Sequence, residues 1–373
     1  MSESPLSETS SRPAFAERSG GVAADEGGAA HYGDPLGEQR ALASGRAIVD
    51  LAGRRVIEVA GEDRLTWLHA ITSQALTGLG AGESTELLVL DPQGRVEHEA
   101  AVVDDGASAW LITESGDAPG LVRWLTMMRF RSRVEVRERP ELHVVGVIAG
   151  GAAEAAAVPL AVAPAGVAVV WRDPWVGVTR GGYQYATVES HPGAERAWVE
   201  VVLDDAGLEA LAGGGVDAAG SLAADALRVA AWRPRWGFET DERTIPHELD
   251  WIRSAVHLDK GCYRGQETVA KVHNLGHPPR RLVLLQLDGD LPAIGADVLD
   301  EAGAVVGRIT SPARHFEQGP IALAVVRRGV PVDAVLSVVA DDGPIAAAQE
   351  VIVPPEAGAA ASVPRLPRLS SRR

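Results

Sequence analysis

Apolar residues recur at helical spacing over residues 63–77, at Leu65, Leu68, Ile71, Ala75 and Leu76, and the run at 56–59 just before them reads as a strand. Residues 86–90 and 95–103 are apolar stretches separated by Asp91-Pro92-Gln93-Gly94. Proline pre-sets φ and glycine accepts the left-handed turn position, so this stretch predicts a β-hairpin. Residues 110–113 read as a strand, 118–130 as a helix with Leu121, Trp124, Leu125 and Met128 on one face, and 134–136 as a further strand. The order β-β-β-α-β predicts an α+β sandwich. From 152 to 168 periodicity fails, and the Ala-, Val-, Gly- and Pro-rich composition predicts a surface loop or short strands. Helical spacing returns at 222–232, with Arg228 inside it, and stops ahead of Pro234. Beyond Lys271 come short strands at 282–287, 297–299, 305–310 and 321–326, punctuated by glycines, which predict a small β-barrel or sandwich.

Composition narrows the class. The 373 residues are 46% hydrophobic and 23% charged, ordinary for a soluble globular protein of two or three domains. A net charge of −16 disfavours indiscriminate binding to nucleic acid or anionic membranes. No apolar run approaches the roughly 18 residues of a membrane span, and the N-terminus has no secretory-type apolar core, so a cytoplasmic protein is expected. Residues 1–42 lack periodicity and are expected to form a disordered tail, as is the basic stretch 354–373.

Candidate chemistry concentrates at Lys260-Gly261-Cys262-Tyr263-Arg264-Gly265-Gln266-Glu267, which holds the only cysteine. Gly261 and Gly265 can take positive φ and place the thiol on a bend. Lys260 and Arg264 favour thiolate, moving the pKa from about 8.5 toward roughly 7 or below. The alternative is a small buried hydrophobe. A lone cysteine fits a reducing compartment and excludes a self-contained iron–sulfur cluster. A zinc site from His257, Cys262, His273 and His277 is not expected, because Gly276 and Pro278 disfavour the helix that would align the last two imidazoles. Upstream, residues 233–248 mix arginines, carboxylates, Trp236 and Phe238. They are suited either to stacking a flat heterocycle and holding an anionic tail, or to a solvated loop with internal salt bridges.

Over residues 46–353 these segments resemble the YgfZ family, relatives of the glycine-cleavage T-protein. KGCYRGQE is similar to the family signature K-G-C-aromatic-x-G-Q-E, RWGFETDERTIPHE to the segment preceding it, and Val306-Gly307-Arg308-Ile309-Thr310-Ser311 to the barrel motif V-G-x-x-T-S. The resemblance implies a ring of two ferredoxin-like α+β subdomains, interleaved over residues 43–270, plus a C-terminal antiparallel β-barrel over 271–353, around a site for tetrahydrofolate or a derivative. It implies a folate-binding accessory protein that supports assembly or repair of iron–sulfur clusters, with client proteins or assembly factors as transient partners. Alternatives are a tetrahydrofolate-dependent aminomethyltransferase or demethylase, and a non-catalytic scaffold.

By the same resemblance Arg228 is a candidate folate contact, since Leu227-Arg228 matches the start of the T-protein's L-R-x-E-A-G, although Val229-Ala230-Ala231-Trp232 then departs from it. Residues 179–183 are similar to R-T-G-Y-T-G-E, making Tyr183 and Glu189 candidates for the pterin site, with Trp236 as a stacking partner. Cys262 and Lys260 are the candidate catalytic groups. His98 stands where the T-protein motif G-G-x-x-D-D has its first aspartate, which argues against ordinary aminomethyl transfer unless Glu97 or Glu99 compensates.

Overall fold

The computed structural model describes Phe15, residues 20–341 and residues 343–360. In chain order the elements are β1 (Val22–Ala23), β2 (Ala29–His31), α1 (Pro35–Ala43), β3 (Ala47–Asp50), β4 (Arg54–Ala60), α2 (Arg64–Ile71), β5 (Ser84–Leu90), β6 (Val96–Asp104), β7 (Ser108–Glu114) and α3 (Ala118–Met127). There follow β8 (Glu135–Glu138), β9 (His143–Ile148), α4 (Ala152–Ala157), β10 (Val170–Arg172), β11 (Trp198–Leu203), α5 (Asp205–Gly213), β12 (Asp217–Ala219), α6 (Ser221–Ala230) and α7 (Gln266–Leu275). The last six strands are β13 (Arg280–Asp288), β14 (Asp297–Leu299), β15 (Val305–His315), β16 (Gly319–Arg327), β17 (Leu336–Val338) and β18 (Ile345–Val351).

Strand alternation builds a four-layer body. In the sheet β5-β6-β7-β4-β8, Ile57, Val59, Ala100, Val102 and Leu111 point one way and meet Trp67 and Leu68 of α2 and Leu121, Trp124 and Leu125 of α3. Their neighbours Val56, Ala101, Val103, Trp110 and Ile112 point the other way, onto Val49, Val144, Trp171, Trp198 and Val202 of the sheet β10-β11-β9-β3-β12. The far face of that second sheet packs Val145, Val147, Val199 and Val201 against α4 and α5. On the face toward the first sheet Gly146 is required: a Cβ would stand 2.1 Å from the Trp198 ring. The order of layers is helix, sheet, sheet, helix.

Strands β13-β16-β15-β14-β17-β18 close into an antiparallel barrel with its own core. A further cluster, including Trp175, Trp251, Tyr263, Val269, Leu282 and Leu323, packs the barrel onto the α+β body.

Four expectations change. Residues 152–168, expected as a surface loop or short strands, begin with helix α4. The tail expected over 1–42 is structured from residue 20. Asp34 caps α1 by accepting from Gly37 N, with Pro35 in the first turn. Buried Glu38 accepts from Tyr32 N and Gly220 N, and Gln39 bonds Arg314 O and Phe316 N of the barrel. Residues 1–14 and 16–19 lie outside the described residues. At the other end, Ala357 is buried and Ala360 N bonds His273 O, so the ordered chain passes 354; residues 361–373 lie outside the description. The boundary at 270/271 falls inside α7, and the barrel begins at Arg280.

Candidate functional site

The seam between the two sheets is apolar along most of its length. At one end, Arg54 of β4, Glu99 of β6, Glu114 of β7 and Glu200 of β11 occupy the same inward-facing positions, and there a cavity of about 420 Å³ opens. Arg54 and Glu114 are direct cross-strand partners. The remaining wall comes from Arg228, from Arg233, Arg235 and Phe238, from Trp171 and Trp198, and from Glu26 in the β1–β2 turn.

These charges are paired in a network, as buried charges must be. Arg235 grips Glu114 bidentately at 2.8 and 2.7 Å and donates to Glu26 at 2.5 Å. Arg54 reaches Glu114 at 2.9 Å and Glu200 at 3.1 Å. Arg233 donates to Glu86 and Asp173, and Arg196 also meets Asp173. Burial works against the charge of Glu114, but Arg54 and Arg235 outweigh it and hold the carboxyl below its ordinary value. Glu99 is 3.9 Å from Arg54, and burial dominates, pushing it up to about 8. The wall therefore carries one carboxyl that is largely protonated at neutral pH. On the cavity lining, three buried polar atoms have neither a hydrogen bond nor an ion pair among the described residues: Glu200 Oε2, Arg196 Nε and Arg233 Nη1. This set of one acceptor and two donors, beside flat indole walls, fits a polar heterocycle.

The cysteine segment lies elsewhere. Cys262 is exposed and does not line the cavity. Gly265 has φ +83° and precedes α7, whereas Gly261 is not in the left-handed region and faces open space. The flanking cations have other partners. Lys260 Nζ donates to the carbonyls of His69, Thr72 and Gln74 and sits over the Tyr263 ring, and burial pushes its pKa down to about 7. Arg264 pairs with Glu97 at 2.6 Å. Gln266 donates to Lys260 O, closing the loop on itself, while Glu267 is exposed on the first turn of α7.

Of the residues expected to bind a cofactor, Arg228 lines the cavity, yet each of its nitrogens is engaged. Nε bonds Asp225, Nη1 bonds Arg233 O and Glu239, and Nη2 bonds Ser311 Oγ at 2.8 Å. Glu239 in turn accepts from Thr310 and Ser311 of the V-G-x-x-T-S motif, so this junction ties α6 to the barrel. Glu189 is exposed, Tyr183 is exposed beside the His273 ring, and Trp236 donates to Glu97 O; none lines the cavity. His98 faces α3, where Nδ1 meets buried Asp117, and its neighbour Glu99 is the one that reaches the cavity. Residues 233–248 are only partly solvated: Arg233, Glu239, His247 and Glu248 are buried, whereas Asp241, Glu242 and Arg243 are exposed. His273 lies in α7 and His277 beyond its Gly276 cap, and no group of three or more His, Cys, Asp or Glu converges as a metal site among the described residues.

Local sequence could have exposed Glu200 and Glu86. Each is a lone carboxylate in an otherwise apolar strand, WVEVVL and TELLVL, where burial demands a partner.

No protein-family model matches the chain. It is 24% identical over 303 residues to the mitochondrial iron–sulfur cluster assembly factor IBA57 of Mus musculus, covering 74% of this chain and 76% of that protein. It is 23% identical over 318 residues to a putative chloroplastic transferase of Arabidopsis thaliana, covering 79% and 68%. The crystal structure of glycine cleavage system aminomethyltransferase T from Bartonella henselae superposes with a TM-score of 0.71 over 89% of this chain and 93% of that one, at 17% identity. The sequence likenesses support a T-protein-like relationship, and the chain has the T-protein fold.

Proposed function

We propose that this protein binds a reduced folate in the inter-sheet cavity and supports assembly or repair of iron–sulfur clusters in client proteins, acting in the cytoplasm. The observation that carries the reading is Glu200: a carboxylate buried in an apolar strand, with one oxygen held by Arg54 and Trp198 and the other without a hydrogen-bond partner among the described residues. Such an oxygen suits the amino and ring N–H edge of a pterin, while Arg196 and Arg233 offer N–H groups to its acceptors. When bound, a folate supplies a one-carbon carrier; the protein's own part is to orient it and exclude water. Arg228 shapes the rim by anchoring the barrel. The likeness to an iron–sulfur cluster assembly factor supports the client role. A single thiol cannot hold a cluster, so Cys262 serves as an exposed reactive group or transient ligand toward a partner.

Calorimetric titration with tetrahydrofolate tests the site: Glu200→Gln should weaken binding by about tenfold or more, equal to the loss of a charge-assisted hydrogen bond. Unchanged affinity removes the assignment. For the cellular role, iron–sulfur enzyme activity is measured in cells lacking the protein, rescued with wild type or Cys262→Ala. No dependence on the protein overturns the reading, and full rescue by Cys262→Ala overturns the thiol's part in it.

Aminomethyl transfer is the second reading, favoured by Glu99, a carboxyl on the cavity wall poised near neutrality. Formation of methylene-tetrahydrofolate from methylated or glycine-derived amines by purified protein would support it, and its absence would leave only the accessory role.

A further inference from the structure

Far from the cavity, the end of α3 and the loop that follows it present Met127, Arg129, Phe130, Arg131 and Arg133 to solvent. Phe130 is 81% exposed and Met127 62%. Phe130 also has φ +43°, a left-handed conformation that bulky L-residues avoid. A strained backbone that brings its residue no burial marks a candidate functional position. Its geometry is built rather than loose. Gly61, at φ +124°, lets the loop lie directly on the β4–α2 corner, since a Cβ there would stand 2.1 Å from Arg133 O. Arg133 N and guanidinium then bind Asp63 at 2.8 Å each. Between loop and corner lies a concavity of about 520 Å³, lined by Ala60, Gly61 and residues 129–135.

Charge says what the concavity suits. Arg133 is matched by Glu62 and Asp63, but Arg129 and Arg131 form no ion pair among the described residues, nor does nearby Arg123 on α3. This is a cationic, aromatic patch on a chain of net charge −16. The geometry points to a docking site for a short acidic segment of a partner protein, with an apolar side chain set against Phe130 and Met127 and carboxylates on Arg129 and Arg131. Glu135 also lines the concavity, but its carboxylate is paired with Arg137, which leaves Arg129 and Arg131 as the unpaired charges there. A long polyanion such as RNA is disfavoured: beyond the patch it would meet Glu62 and Glu138.

The test is selection of short random peptides on the immobilised full chain, with the triple variant Arg129→Ala, Phe130→Ala, Arg131→Ala as counter-target. All three positions are exposed, and an unchanged melting temperature verifies folding. Peptides rich in Asp or Glu with an interspersed Leu, Phe or Trp are expected, binding the variant at least about tenfold more weakly and losing affinity with added salt. Selection of no such class, or equal binding to the variant, overturns the proposal. So does a single-stranded RNA oligonucleotide that binds more tightly than the peptides and is lost in the same variant.

Discussion

Gly94 and Gly265 pack backbone against backbone, joining the β5–β6 turn to the entry of α7. A Cβ on Gly265 would stand 3.0 Å from Gly94 Cα and 2.6 Å from Asp91 O, and one on Gly94 would stand 2.9 Å from Thr268 Cβ. Both residues have positive φ. Gly265→Ala should therefore destabilise the protein by about 2 kcal/mol or more, adding left-handed strain to a clash with rigid backbone. Urea denaturation measures it; a loss below about 0.5 kcal/mol would mean that the two turns separate freely.

Arg228 and Glu239 make the barrel's attachment to the α+β body sensitive to one charge. Arg228→Met leaves the buried Glu239 carboxylate with hydroxyl and amide donors alone, and should cost about 3 kcal/mol. Adding Glu239→Gln should recover part of that loss. Both effects are read from chemical denaturation, and additive losses would show that the two side chains act independently.

Stability should depend on pH through Glu99. Its folded-state pKa, about 8, lies above the ordinary 4.5, so between those values the folded protein holds a proton that the unfolded chain has released. Its contribution is fully present below about 4.5 and is lost as pH rises through about 8. Relative to Glu99→Gln, wild type should lose stability across this window, at no more than about 1.4 kcal/mol per pH unit. Parallel pH profiles for the two proteins would refute this.

Lys260 is a strut for three carbonyls at the end of α2. Lys260→Met should cost about 2–3 kcal/mol and speed amide hydrogen exchange over residues 72–76. Because the ammonium is tied there, the alkylation rate of exposed Cys262 should change by less than about threefold. A larger drop would return Lys260 to the thiol's chemistry.

How far the sequence reveals this molecule depends on the range of the interactions involved. The β5–β6 hairpin and α6 are legible because Asp91-Pro92-Gln93-Gly94 and the apolar spacing before Pro234 act locally. α4 escapes because Ala152–Ala157 has no periodicity to read, only the intrinsic helix preference of alanine. β9 and β11 are covered on both faces and show no alternation. α1 looks like a tail because Glu38 and Gln39, polar in sequence, find their partners 182 and 277 residues away. The cavity assembles from Arg54, Glu99, Glu114, Glu200 and Arg235, whose shared location only the stacking of two sheets creates. The barrel motif is recognisable in sequence, but its role as an anchor for Arg228 and Glu239 requires the fold.

The β1–β2 turn has a practical corollary. By contributing Glu26 to the cavity wall and to Arg235, it forms a shutter over the site. A shortened version that begins at α1, though it keeps both sheets and the barrel, would have an open doorway, with the Arg235 guanidinium still held by Glu114 but uncovered on the side that Glu26 had closed. Ligand affinities measured on it would describe a different protein.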